Sequence, residues 1–164
     1  VYVTELVGGP SRLRSVRITA GKPSPPEVIA APFSIATVQK LNAIGDDVLY
    51  KVESYTATPA WYRYAPRTGR SAPTALAQPM ELAMDDVEVV RETCTSADGT
   101  AVPINILHRR GLALDGSHPV LLYGYGGYSI SLRPTLHPLT RLWIDQGGVY
   151  AEANLRGGNE FGEA

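Results

Sequence analysis

The stretch from Pro119 to Gly162, PVLLYGYGGYSISLRPTLHPLTRLWIDQGGVYAEANLRGGNEFG, constrains this chain more than any other. Val120, Leu121, Leu122 and Tyr123 form a continuous apolar run that suits a strand buried on both faces, a pattern shared with short buried helix segments. Gly124, Gly126 and Gly127 decide for a strand, because they end the run in a loop free to take positive φ. Leu139, Leu142 and Trp143, at spacings of three and four, predict a helix closed by Gly147-Gly148. The residues VYAEANL, 149–155, predict the next strand, turned by Arg156-Gly157-Gly158. Strand, glycine loop, helix and strand make a βαβ unit, expected to be parallel and right-handed, and with it the start of an α/β sheet.

In such sheets chemistry lies beyond the carboxyl ends of the strands, where Tyr123-Gly-Tyr125-Gly-Gly-Tyr128 sits. The loop has no Gly-Lys-Ser/Thr, and Ser129 occupies the last position that Gly-Xaa-Gly-Xaa-Xaa-Gly requires. Two readings remain: an anion pocket of loop amides and a tyrosine hydroxyl, at the place where α/β-hydrolases find oxyanion donors, or a tight connection with packed tyrosines.

Upstream, short strands alternate with turns. Val1 to Ala20 reads as two strands around Gly8-Gly9-Pro10-Ser11, followed by a proline-rich loop at 21–26. Further strands are expected at 28–31, 48–55, 60–64 and, as an edge, 74–77. Such spacing signals an antiparallel meander in a barrel, a sandwich or a propeller, and no clean internal repeat selects among them. An acidic crossing, 81–88, leads to strands at 87–95 and 101–109 around the Asp98-Gly99 turn. Val102, Ile104 and Ile106 share one face of the second strand, and Asn105 and Arg109 the other. The boundary between the two regions is expected near Met80 to Asp86.

With 44% apolar and 19% charged residues, the 164-residue chain is globular. Its net charge of -1 gives no electrostatic case for nucleic acid or an anionic membrane, and no apolar run approaches membrane-spanning length. The single cysteine, Cys94, has no partner for a disulfide or a metal site. No serine lies in Gly-Xaa-Ser-Xaa-Gly, although Ser129 and Ser131 follow the glycine loop. His108, His118 and His137 fall at a strand end, in a turn and near a helix start, where structural roles suffice. Glu152, Arg156 and Glu160 are expected to gather near a strand end as a solvated or buried ion-pair cluster. Both ends read as cut, which leaves the compartment, cytoplasmic or periplasmic, open.

The runs LLYGYGGYSIS and RLWIDQGGVYAEANLRGGNEFGE, with SADGTAVPINILHRRGLALDGSHP upstream, closely resemble the prolyl oligopeptidase family of serine peptidases. The resemblance covers residues 87–164 and implies the end of a β-propeller followed by the start of an α/β-hydrolase domain, both incomplete. It assigns 1–80 to the last blade and part of the preceding one, and 81–164 to the amino-terminal part of the peptidase domain. It implies a monomeric parent that cleaves short proline-containing peptides on the carboxyl side of proline, through an acyl-serine, without cofactor or metal. The family's Ser, Asp and His lie beyond the point where this chain stops, so the chain alone is expected to be inactive. Tyr125 takes the place of the family's oxyanion-donating tyrosine, and Tyr128 that of the aromatic wall of the proline pocket. Two residues depart from the family pattern: Tyr128 stands in place of Phe, and Asn159 in place of a third Gly. The rivals are an oligopeptidase of the same family that cuts after basic residues, whose glycine loop usually lacks Tyr-Gly-Tyr-Gly-Gly, and a noncatalytic propeller-type binding module.

Overall fold

The structure, a computed structural model, describes residues 1–77 and 82–162, without the side chains of 40–42. The boundary expected near Met80 therefore lies partly outside the described residues, as do Glu163 and Ala164. The chain divides into two compact units, Val1–Met80 with Arg133–Thr135, and Glu81–Leu132 with Leu136–Ala164.

The first unit is made of open antiparallel sheets. Strands β1 (Tyr2–Leu6), β2 (Ser11–Ser15) and β5 (Glu27–Ile29) pair in the order β1-β2-β5, and β3 (Ile18–Thr19) pairs with β4 (Lys22–Pro23) alone. Strands β6 (Ala36–Ile44), β7 (Asp47–Ser54), β8 (Ala60–Ala65) and β9 (Arg70–Ala77) form a four-stranded meander. Along β7 burial alternates residue by residue, with Val48, Tyr50, Val52 and Ser54 inward, as period two demands. Tyr50 and Val52 join Leu13, Ile29, Ala36 and Val38 in one core, where Tyr50 stacks on Tyr62 at 5.8 Å and Tyr2 meets Tyr64 edge-on at 6.2 Å. Each fully buried aliphatic side chain stabilises this core by about 1.5–3 kcal/mol.

Strand β6 was not expected from the sequence. Its pairing with β7 shifts between Gln39 and Leu41, and the extra residue of that bulge breaks the alternation that marks a strand. Strand β9 begins at Arg70, earlier than expected, and tolerates Pro73 because it lies at the sheet edge.

The second unit contains β10 (Val87–Thr95), β11 (Ala101–Arg109), β12 (Val120–Gly124), helix α1 (Pro138–Asp145) and β13 (Val149–Ala153). Its sheet order is β10-β11-β13-β12: β10, β11 and β13 are successively antiparallel, and β12 runs parallel to β13. The β12-α1-β13 unit is thus present and parallel. Contrary to the expectation of burial on both faces, β12 is an edge strand exposed along its whole length.

Helix α1 starts where His137 Nδ1 accepts from the Leu139 amide and Pro138 occupies the first turn, where its missing N–H costs nothing. Its buried residues are Thr140 and Ile144, whereas Leu139 and Leu142 are exposed, so the apolar stripe read from the sequence is not the packed one. Trp143 instead turns its indole Nε1–H to the Val149 carbonyl at 2.9 Å, fastening the helix end to the start of β13. Arg141 pairs with Asp145 one turn on and with Asp86, and donates to the Ala83 carbonyl, while Arg109 reaches Asp145 at 3.1 Å.

At the β10–β11 turn, Asp98 accepts from the Thr100 amide and pairs with Arg156, which follows β13. The Thr100 amide first, and the Arg156 guanidinium second, hold the Asp98 carboxyl down to about 2, against an ordinary 3.8. Because the folded value is depressed, the contribution is whole above about pH 4 and is lost as pH falls toward 2. A carboxyl-carbon NMR titration is expected to place the Asp98 midpoint near 2 and that of Arg156→Ala higher but still below 3.8, because the Thr100 amide remains. Equal midpoints in the two proteins would refute the ion pair.

Candidate active site: the glycine loop and its support

The parallel pairing of β12 with β13 brings the carboxyl ends of both strands to one edge of the sheet. The loop after β12, residues 125–132, and the turn after β13, residues 154–160, therefore leave side by side. They approach closely enough that only glycine fits at the contact. A Cβ on Gly126 would overlap the Arg156 carbonyl, and one on Gly157, whose φ is +90°, would overlap the Gly126 carbonyl. The Ser129 amide donates to the Gly157 carbonyl at 3.3 Å, and the Ile130 amide to the Gly127 carbonyl at 3.1 Å. Between these bonds Tyr128 and Ser129 both take φ of +54°, a left-handed corner made without glycine. Each such residue costs about 1–2 kcal/mol, so the corner persists only where its surroundings impose it.

Tyr125 is partly exposed and folds back over its own loop, with its hydroxyl 3.1 Å from where a Cβ on Gly127 would lie. A side chain at position 127 would meet that ring, so Gly127 lets the phenol rest on the backbone. Tyr128, 92% exposed, stands on the strained corner. The structure thus places both sequence-predicted tyrosines on one short loop.

Behind the loop lies a polar network that the sequence reading missed. The register sets Arg91, Asn105, Glu152 and Tyr123 in one row across β10, β11, β13 and β12, so their side chains share a face. Arg91 Nη1 donates to Asn105 Oδ1 at 2.7 Å, and Asn105 Nδ2 to Asn154 Oδ1 at 3.2 Å. Asn154 Nδ2 donates to the Leu132 carbonyl at 3.1 Å and to Glu160 Oε1 at 3.3 Å. Glu160 Oε1 also accepts from the Leu132 amide at 2.9 Å. Asn105, Asn154 and Glu160 are 0%, 1% and 1% exposed, so the face read from Asn105 as polar is buried, not solvated. Removing one partner from such a network leaves a buried polar group unpaired, at a cost of about 1–3 kcal/mol. The only sequence signal was Asn105 between Ile104 and Ile106; its partner Asn154 lies 49 residues away.

Glu152, Arg156 and Glu160 do not form the expected cluster. Arg156 turns to Asp98 and Thr100, Glu160 binds Leu132 and Asn154, and Glu152 Oε2 accepts from the Tyr150 hydroxyl at 3.2 Å. Burial, and then the Glu152 carboxylate, push the Tyr150 phenol well above its ordinary range. His108 is buried, with Nδ1 on the Arg109 carbonyl, and His118 lies beside the apolar groove formed by Ile104, Ile106, Leu122 and Ala151 on the other face of the sheet. Among the described residues no group of three or more His, Cys, Asp or Glu could hold a metal ion, and no helix is long and apolar enough to cross a membrane.

No family model matches the chain. The prolyl endopeptidase of Elizabethkingia meningoseptica is 36% identical over 119 residues, 71% of this chain and 16% of that protein. Prolyl oligopeptidase A of Galerina marginata is 40% identical over 80 residues, 48% of this chain and 11% of that protein. A solved prolyl endopeptidase structure superposes with a TM-score of 0.75 at 32% identity, over 98% of this chain and 25% of that one. The chain belongs to the prolyl oligopeptidase family. It spans 16% of the length of the two Elizabethkingia prolyl endopeptidases it matches. Oligopeptidase B from Leishmania major, with a TM-score of 0.79 at 21% identity over 98% of this chain and 24% of that one, shares the fold. The open sheets of this family member match the propeller portion of such structures.

The interlock of loop and turn makes a separable prediction. Gly157→Ala introduces both a left-handed alanine and a clash with the Gly126 carbonyl, whereas Gly147→Ala, at φ +82° with open space around it, introduces only the first. Gly147→Ala is expected to cost about 1 kcal/mol, and Gly157→Ala at least about 2 kcal/mol more, in denaturant unfolding. Equal losses would mean that the two loops are not held together.

Proposed function

We propose that this chain carries the oxyanion loop of a serine endopeptidase that cleaves short peptides on the carboxyl side of proline. In this reading 1–80 is the end of a β-propeller and 81–164 the first part of an α/β-hydrolase domain. The observation that carries the proposal is Tyr125, set on a backbone-interlocked glycine loop at the carboxyl end of β12. When a serine hydroxyl attacks the carbonyl of the proline residue, its proton passes to a base and the carbonyl oxygen becomes an oxyanion. A fixed phenolic O–H aimed at that oxygen stabilises the transition state more than the ground state. Expulsion of the leaving amine, which takes up that proton, gives the acyl-serine, and water then releases the acid. The serine, its base and the acid belong to the rest of the enzyme, so this chain alone hydrolyses nothing. Tyr128 forms part of the wall that receives the proline ring.

Cleavage after basic residues is the second reading, favoured by the likeness of fold to oligopeptidase B. The intact Tyr-Gly-Tyr-Gly-Gly loop, together with prolyl endopeptidase and oligopeptidase relatives at 36–40% identity, supports the proline reading instead.

Tyr125→Phe in the full-length enzyme deletes one donor and keeps the ring over Gly127. It is expected to lower kcat by about a hundred- to a thousandfold, roughly 3–4 kcal/mol, with KM little changed. Tyr128→Phe removes a hydroxyl from the same loop but no oxyanion donor, and is expected to leave kcat within about threefold and proline preference intact. Equal losses in the two variants, measured on a proline p-nitroanilide, would remove the oxyanion assignment.

A further inference from the structure

We propose that Asn154 and Glu160 are positioning residues for Tyr125, acting through the backbone of Leu132. This rests on the reading of Tyr125 as oxyanion donor. The loop that carries Tyr125 has no regular structure from Tyr125 to Leu132, and its corner at Tyr128-Ser129 is left-handed without glycine. A strained corner in an exposed loop relaxes unless both its flanks are fixed. The upstream flank is fixed by β12 and by the contact of Gly126 with Gly157. The downstream flank is fixed at Leu132, where Glu160 Oε1 takes the amide at 2.9 Å and Asn154 Nδ2 supplies the carbonyl at 3.1 Å.

Both polar groups of one loop residue are thus held by two fully buried side chains, which also bond each other at 3.3 Å. Asn154 is fixed in turn by Asn105 and Arg91 of the sheet, so the loop's downstream end is referred to the strands. Glu160 Oε2, by contrast, has no hydrogen-bond partner among the described residues and lies against Gly158, where any Cβ would overlap it. A buried carboxyl with one oxygen unpaired is costly to keep for packing alone. The geometry that its other oxygen imposes on Leu132 accounts for it. Releasing Leu132 lets the corner relax toward negative φ, and a shift of about 1 Å in the Tyr125 hydroxyl is enough to lose most of its effect on turnover.

The test is a double-mutant cycle in the full-length enzyme, read on a blocked Gly-Pro p-nitroanilide. Glu160→Ala is expected to lower kcat at least about tenfold with KM within about threefold, and Glu160→Gln, which keeps one acceptor for the Leu132 amide, to stay near the unmodified enzyme. Tyr125→Phe, costing about a hundredfold or more in the unmodified enzyme, is expected to cost less than about tenfold on top of Glu160→Ala, because the donor is already misplaced. If Glu160→Ala yields no soluble enzyme, Asn154→Asp runs the same cycle; it keeps the volume and withdraws both amide donations. An undiminished loss from Tyr125→Phe in the Glu160 or Asn154 background overturns the positioning role and leaves the Tyr125 reading standing. No loss from Tyr125→Phe in the unmodified enzyme overturns that reading itself, and the positioning role with it.

Discussion

The parallel pairing of β12 with β13 is the constraint on which the site depends. Antiparallel neighbours would send the two following loops to opposite edges of the sheet. Parallel neighbours send them to the same edge, where Gly126 and Gly157 meet backbone to backbone. That contact fixes the start of the glycine loop without any side chain, and Tyr125 is the first large residue free to be used there. Helix α1 joins the two strands, capped by His137 and Pro138 at its start and tied to the first residue of β13 by the Trp143 bond to Val149.

The sheet of the second unit has two chemically different faces. One carries Ile104, Ile106, Leu122 and Ala151, an apolar groove. The other carries Arg91 and Asn105, which with Asn154 and Glu160 form a largely buried network whose bonds end on the backbone of the glycine loop. Apart from Glu160 Oε2, the side chains of this network bond one another or the Leu132 backbone, and keeping those bonds requires a single geometry. That single geometry is what an oxyanion donor needs, because a donor that has to reorganise during the reaction loses much of its effect.

Much of this was legible in the sequence, for local reasons. The Asp98-Gly99 turn and the alternation around it bound β10 and β11 at the residues observed, and the glycines placed the loop between β12 and α1. Strand β6 was hidden because its bulge at Gln39–Leu41 breaks period two. The packed side of α1 was misread because Thr140 is buried while Leu139 and Leu142 face solvent. Tyr125 and Tyr128 stood out as members of a motif, but their support did not. Asn105 meets Asn154 across 49 residues and Leu132 meets Glu160 across 28, and neither pair leaves a periodic trace. The charged residues after β13 were visible, yet their partners, Asp98 for Arg156 and Leu132 for Glu160, are set by topology rather than by proximity in sequence.

The central claim, that Tyr125 donates to the oxyanion, is tested most directly by a crystal structure of the full-length enzyme bearing a proline phosphonate on its nucleophile. The phosphonyl oxygen then stands where the oxyanion forms. The account predicts the Tyr125 hydroxyl within about 2.7–3.1 Å of that oxygen, with Tyr128 and Ser129 still left-handed. A hydroxyl more than about 4 Å away, in an enzyme that has accepted the phosphonate, would contradict it.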